Sequence, residues 1–170
     1  MAMNGIKLTS THFGIFVIFA AIYTAGTLGL GRISFGEAQL KPGEIGTPLV
    51  AIFGWPAIIG LVVGQLVANT ASPFGPIDLI SPFISLIGLL AVKYLSRYTV
   101  LLGSAVYVVL TSAWLAYMIS VIRPGTEPII QSFLGQGLAI LIGIIIYFVM
   151  RRMEPFRERT KGTAIPQQAV

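Results

Sequence analysis

The chain has 170 residues, 55% of them hydrophobic and 10% charged, with a mean hydropathy of +0.87. That leaves too little polar surface to coat a soluble globule and predicts an all-α integral membrane protein, a single compact bundle in which each span takes about 20 residues. With no cysteine there are no disulfides or thiolate metal sites, and the 11 basic residues, in short connectors and a tail, fit positive-inside topology rather than a nucleic-acid surface.

In chain order, the apolar stretches are residues 13–30, 45–69, 79–95, 99–122 and 128–150. The first is too long, and its exit too poor in small residues, for a removable signal peptide. Five crossings would place Lys7 and the cluster Arg151, Arg152, Arg157, Arg159 and Lys161 on opposite sides, so one stretch should hide an extra turn. "FGWPA", residues 53–57, is the best place, because Gly54 and Pro56 break helices and Trp55 anchors at a headgroup interface. Splitting there gives a compact bundle of six transmembrane helices, the second and third over about 41–54 and 56–69. About 14 residues of helix rise only about 21 Å, so the second span needs shielding by its neighbours.

With both termini cytoplasmic, Lys7, Lys93, Arg97 and the five basic tail residues lie inside. Arg32, Lys41 and Arg123 lie outside, eight basic residues against three. This predicts a multi-pass protein of the plasma membrane, with one transmembrane domain over residues 1–153 and a basic, flexible cytoplasmic tail over 154–170.

The outer loops hold the chemistry. In "ANTASPFGPID", residues 68–78, Asn69 closes one helix, Pro73 and Pro76 stiffen a turn around Gly75, and Asp78 is placed to cap the next helix. Helix-end roles are the first reading of Asn69 and Asp78, and ligand contact is the alternative. Gln65, one turn below Asn69, needs either a neighbouring helix or a bound polar molecule, as does Gln136 in "SFLGQGLAI". Arg32 and Glu37 form either a solvated pair or a pocket pair. Tyr107 and Trp114, with Thr111 between them, face core or lipid or form a stacking wall. Ala21 and Ala25, and Gly60 and Gly64, are four apart and permit close helix packing.

There is no phosphate-binding GxxxxGK[ST] loop, no GxSxG, and no Cys or second His beside His12 to hold a metal. The chain is therefore not expected to be an enzyme and needs no cofactor. A stand-alone secondary transporter would favour ionisable residues at mid-span, which these spans are expected to lack.

The block from "GRISFGEAQLKPGEIGTPLVAIFGWPAIIGLVVGQLVANTASPFGPIDLISPFISLIG" resembles the QueT family, the substrate-binding S components of energy-coupling-factor (ECF) transporters for queuosine precursors. The resemblance covers most of residues 13–96. It rests on an Arg and a Glu in the first outer segment, a "P..IIGL..GQL.AN" run and "SPFGPID"; here Glu37 follows Arg32 by five positions where the family run has three. It implies six helices and an ECF S-component fold. The Ala21 and Ala25 face would dock on the ECF T component, and two partner ATPase subunits would spend the ATP while the subunit topples inward. It also implies a 7-deazaguanine ligand such as preQ0, preQ1 or queuine. For such a base, Glu37 or Asp78 would be the carboxylate, Asn69 and Gln65 the amides, Phe74 or Trp114 the stacking ring, and Arg32 a pocket partner. The alternatives are an S component for another vitamin or base, of thiamine-precursor type, and a stand-alone secondary transporter.

Overall fold

The computed structural model describes residues 9–36, 39–124, 129–153 and 156. Among these, all regular structure is helical: α1 (Ser10–Gly29), α2 (Gly31–Ser34), a 3₁₀ segment (Pro42–Leu49) running into α3 (Val50–Phe53), α4 (Trp55–Asn69), a 3₁₀ turn (Gly75–Ile80) running into α5 (Ser81–Leu95), α6 (Val100–Ile122) and α7 (Ile129–Arg152). Four stretches are long and apolar enough to cross a membrane: α1, residues 75–95, α6 and α7. The apolar α4 is shorter, at 15 residues. Large hydrophobic side chains are exposed along every long helix, among them Phe13, Ile18, Phe83, Ile87, Leu101, Val109, Leu138 and Ile145. Lipid, not water, is the solvent that such a surface requires.

Each helix starts and stops for a local reason. Thr9 caps α1: its Oγ1 accepts from the His12 backbone N–H and its own N–H donates to His12 Nδ1, both at 3.3 Å. Thr99 caps α6 through a bond from the Leu101 N–H. The expected break in "FGWPA" falls at Gly54, whose φ of +67° and ψ of −142° suit a residue without Cβ, and Pro56 opens α4 where its missing N–H costs nothing.

The segment before that break decides how the bundle packs. Pro42 and Pro48 lack N–H donors and Gly43 and Gly46 are weak helix formers, so residues 42–49 wind as 3₁₀ helix. With α3 this makes 12 residues, a rise of about 22 Å, well short of a hydrocarbon core of roughly 30 Å. The shielding expected for it is present, since it packs against α1, α4, α5, α6 and α7. A Cβ on Gly43 would sit 2.7 Å from the Tyr23 ring, and one on Gly143 of α7 would sit 2.3 Å from the Ile45 carbonyl oxygen. Bare backbone on both sides lets this strand of 3₁₀ helix thread the centre of the molecule.

Small residues do the same between α1 and α4. A Cβ on Gly60 would lie 2.5 Å from the Phe16 carbonyl oxygen, and one on Gly64 2.6 Å from that of Ala20. The Gly60 and Gly64 pair is thus an internal packing face. Ala21 and Ala25, by contrast, point away from the bundle and are exposed.

The two ends of the bundle are distinct. At one, His12, Phe13, Phe53, Trp55 and Pro56 line a shared apolar hollow, Lys93 Nζ sits 4.3 Å from the Trp55 ring centroid, and Phe156 packs on Phe53 at 5.6 Å. The start of α1 and the chain just beyond α7 therefore share an end of the bundle. The rest of the expected tail, residues 154–170, lies outside the described residues apart from Phe156. At the opposite end, α2 and the turn at residues 70–75 come together.

Candidate substrate-binding site

At that second end, Leu28, Gly31, Arg32, Phe35, Gly36, Ala71 and Pro73 line an open hollow of about 530 Å³. Arg32 is exposed on its wall. Glu37, its expected partner, lies outside the described residues. Phe35 lines the hollow and also meets Phe74 edge-on at 6.3 Å, within an apolar layer completed by Leu115, Met118 and Ile119. Phe74 is buried in this layer.

The interior holds a polar network centred on Asp78, which has no exposed surface. Asn69, the last residue of α4, donates through Nδ2 to the Asp78 carbonyl at 2.8 Å and to Asp78 Oδ1 at 3.1 Å. Ser81 Oγ donates to the same Oδ1 at 2.6 Å, and the half-buried Trp114 donates its indole N–H to Ser81 Oγ at 2.8 Å. These bonds tie α4, α5 and α6 together. They also correct the helix-capping reading of Asp78: the N-cap of α5 is Ile80, without a side-chain bond, and Asp78 spends its Oδ1 on Asn69 and Ser81 instead.

Two acceptors remain over. Asp78 Oδ2 and Asn69 Oδ1 are both sealed from solvent and neither has a hydrogen-bond partner. Each such buried acceptor costs about 1–3 kcal/mol unless something donates to it. Gln65 is also buried, and its amide makes no hydrogen bond with the described residues. Gln136 is different: its Oε1 accepts from Thr111 and, at 3.4 Å, from Ser112, so it joins α7 to α6.

A second polar cluster lies deeper. Glu44, delivered by the central 3₁₀ segment and only 1% exposed, accepts from Tyr23 of α1 at 2.9 Å, from Thr47 at 3.3 Å and from Tyr107 of α6. Ser85 also lies at the Tyr107 hydroxyl. Three hydroxyl donors thus satisfy the two oxygens of Glu44. Lys41, 2% exposed, is within electrostatic reach of Glu44, and its Nζ sits 5.7 Å from the Phe35 ring. Asp78 in turn is within electrostatic reach of Tyr23, so the two clusters adjoin.

Sequence reasoning missed Glu44 and Tyr23, set Lys41 among the outer basic residues, and read Tyr107 as facing core or lipid or forming a stacking wall, not as the partner of a carboxylate. The signal was present, since Glu44 falls inside the expected second span, where a carboxylate marks a functional position by default.

A family model, the QueT transporter, matches residues 15–152, most of the chain and every residue of both clusters. The chain belongs to the QueT transporter family. No curated protein and no solved structure matched it. Membership in the QueT transporter family, with the apolar helices above, makes the chain a membrane transport protein with a small-molecule substrate.

Proposed function

We propose that the chain is the substrate-binding S component of an ECF importer, and that it captures a 7-deazaguanine queuosine precursor from outside the cell. The observation that carries this reading is the pair of unsatisfied acceptors, Asp78 Oδ2 and Asn69 Oδ1. The N1–H and exocyclic amine of a guanine-like ring present two donors side by side, which is the complement of that pair, and the unengaged amide of Gln65 is available to the O6 acceptor. Trp114, fixed by its bond to Ser81, and Phe74 supply the flat apolar surfaces that a heteroaromatic ring favours. Entry from the hollow at Arg32 requires Phe35 and Phe74 to part.

In this reading the six helical segments, counting the 3₁₀ segment with α3 as the second and α4 as the third, span the plasma membrane with residues 12 and 156 on the cytoplasmic side. The exposed Ala21 and Ala25 face of α1 docks on the T component, and ATP is spent by two partner ATPase subunits. The chain itself carries out no reaction and takes no cofactor; its work is selection and release.

Isothermal titration of the detergent-purified protein against deazaguanines, purines and thiamine precursors tests the ligand class. Saturable binding confined to the guanine-like edge is the expected result. Binding only of a thiamine precursor would assign a different S component. A second reading, a self-sufficient transporter, is favoured by one observation, the buried Glu44 with its two tyrosine donors. It requires substrate flux into liposomes that hold this chain alone, whereas the S-component reading requires flux only when the partner subunits are added.

A further inference from the structure

We infer that the chain holds one phospholipid of net negative charge at the end of the bundle where α1 starts, with an acyl chain in the apolar hollow there and the phosphate at Lys93. The site is separate from the two polar clusters, and the inference does not depend on which substrate they take.

The hollow has a volume of about 670 Å³ and is walled by His12, Phe13, Phe16, Phe53, Trp55 and Ile59. Phe13, Trp55 and Ile59 are also exposed on the outside of the bundle, so the hollow opens sideways, toward lipid. His12 Nδ1 already accepts from the Thr9 N–H. Apart from the remaining His12 nitrogen and the Trp55 indole N–H, the lining side chains offer only carbon, too few polar groups to hold ordered water in a space of this size. A hydrocarbon chain fits such a wall and gains by covering it.

Charge decides what that hydrocarbon is attached to. Lys93, half-buried in the last turn of α5, places Nζ 4.3 Å from the Trp55 ring centroid and 5.9 Å from that of Tyr94. A ring face attracts an ammonium without offering it a lone pair, so its N–H donors stay available to an anion. Arg97, just beyond α5, and Arg151 and Arg152, in the last turn of α7, are exposed and add to the positive potential of the same end. The described acidic residues, Glu44 and Asp78, are both buried, one on the central 3₁₀ segment and the other in the turn before α5, and neither lies at this rim. An apolar protein segment would fill the hollow and leave the cations unanswered. A zwitterionic lipid brings a cation of its own. A phospholipid with one net negative charge answers both the wall and the rim, and the surrounding bilayer supplies it.

The test is native mass spectrometry on the delipidated full chain in detergent, titrated with dioleoyl phosphatidylglycerol or dioleoyl phosphatidylcholine, which carry the same acyl chains. Each basic residue at such a surface contributes about fivefold in affinity. The glycerol lipid is therefore expected to bind its tightest site at least about tenfold more strongly than the choline lipid. Lys93→Gln should narrow that preference about fivefold, and Ile59→Trp, which fills the hollow, should abolish the tightest site. Melting of each variant in detergent shows that it is folded; if Ile59→Trp is not, Phe13→Ala, which removes one wall, is expected to weaken the site instead. Equal affinity for the two lipids, a preference that Lys93→Gln leaves unmoved, or a tight site that survives both hollow variants would overturn the inference. So would an Ile59→Trp chain that keeps its lipid but no longer associates with its partner subunits, since the hollow would then belong to a protein. Substrate binding is untouched by any of these results.

Discussion

Replacing Asp78 by Asn separates a binding role from a scaffolding one at a single atom. The substitution keeps an oxygen at the Oδ1 position, so the bonds from Asn69 Nδ2 at 3.1 Å and Ser81 Oγ at 2.6 Å remain available. The bond from Asn69 to the Asp78 backbone carbonyl at 2.8 Å is untouched. What changes is the other branch, where Oδ2, buried and without a partner, becomes an NH₂ group. A donor then faces the donor edge of the ligand, and a hydrogen bond to a charged group, worth about 1.5–3 kcal/mol, is lost. The expected dissociation constant is about ten- to a hundred-fold higher. Stability without ligand should be unchanged or slightly greater, because the variant no longer buries an unpaired charge. Calorimetric titration gives the affinity, and thermal melting of the ligand-free protein in detergent gives the stability. Unchanged affinity together with a lower melting temperature would refute the reasoning and leave Asp78 a purely structural residue.

Further outcomes follow from the packing. Gly64→Ala places a Cβ 2.6 Å from the Ala20 carbonyl oxygen and 2.8 Å from Tyr23 Cβ, so α1 and α4 must separate; a loss of about 1–3 kcal/mol, read by thermal melting, is expected. Tyr107→Phe removes one of three donors from the buried Glu44 and should cost about 1.5–3 kcal/mol, but much less in a Glu44→Gln background, where the acceptor is uncharged; additive losses in the double variant would show that the two side chains act independently. Ala21→Leu with Ala25→Leu alters only exposed positions, so ligand affinity and melting should hold while uptake by the assembled importer in proteoliposomes falls; undiminished uptake would place the docking face elsewhere.

How much of this was legible before folding differs from residue to residue. The break at Gly54 and the ends of α4 follow from short-range rules, because a Gly and a Pro restrict their own backbone wherever they stand. Asn69 and Asp78 were both singled out, but their relation was not, because the eight residues between them make the turn that lets Nδ2 reach a carboxylate belonging to the next element. The small-residue pairs look alike in sequence. One is internal and the other exposed because helix rotation about its axis is set by neighbouring helices, which spacing alone does not encode.

Composition by itself determined that this chain lives in lipid and folds as helices, since a surface so poor in charge has no stable alternative and a backbone in hydrocarbon must satisfy its own hydrogen bonds. Only the tertiary structure decided which polar residues share the interior. Glu44 and Tyr107 are 63 positions apart and Glu44 and Tyr23 are 21, and they meet because bare glycine backbone lets the central 3₁₀ segment pass between α1, α6 and α7. A contact of that kind is a property of how several helices exclude one another's volume, and no local stretch of the sequence contains it.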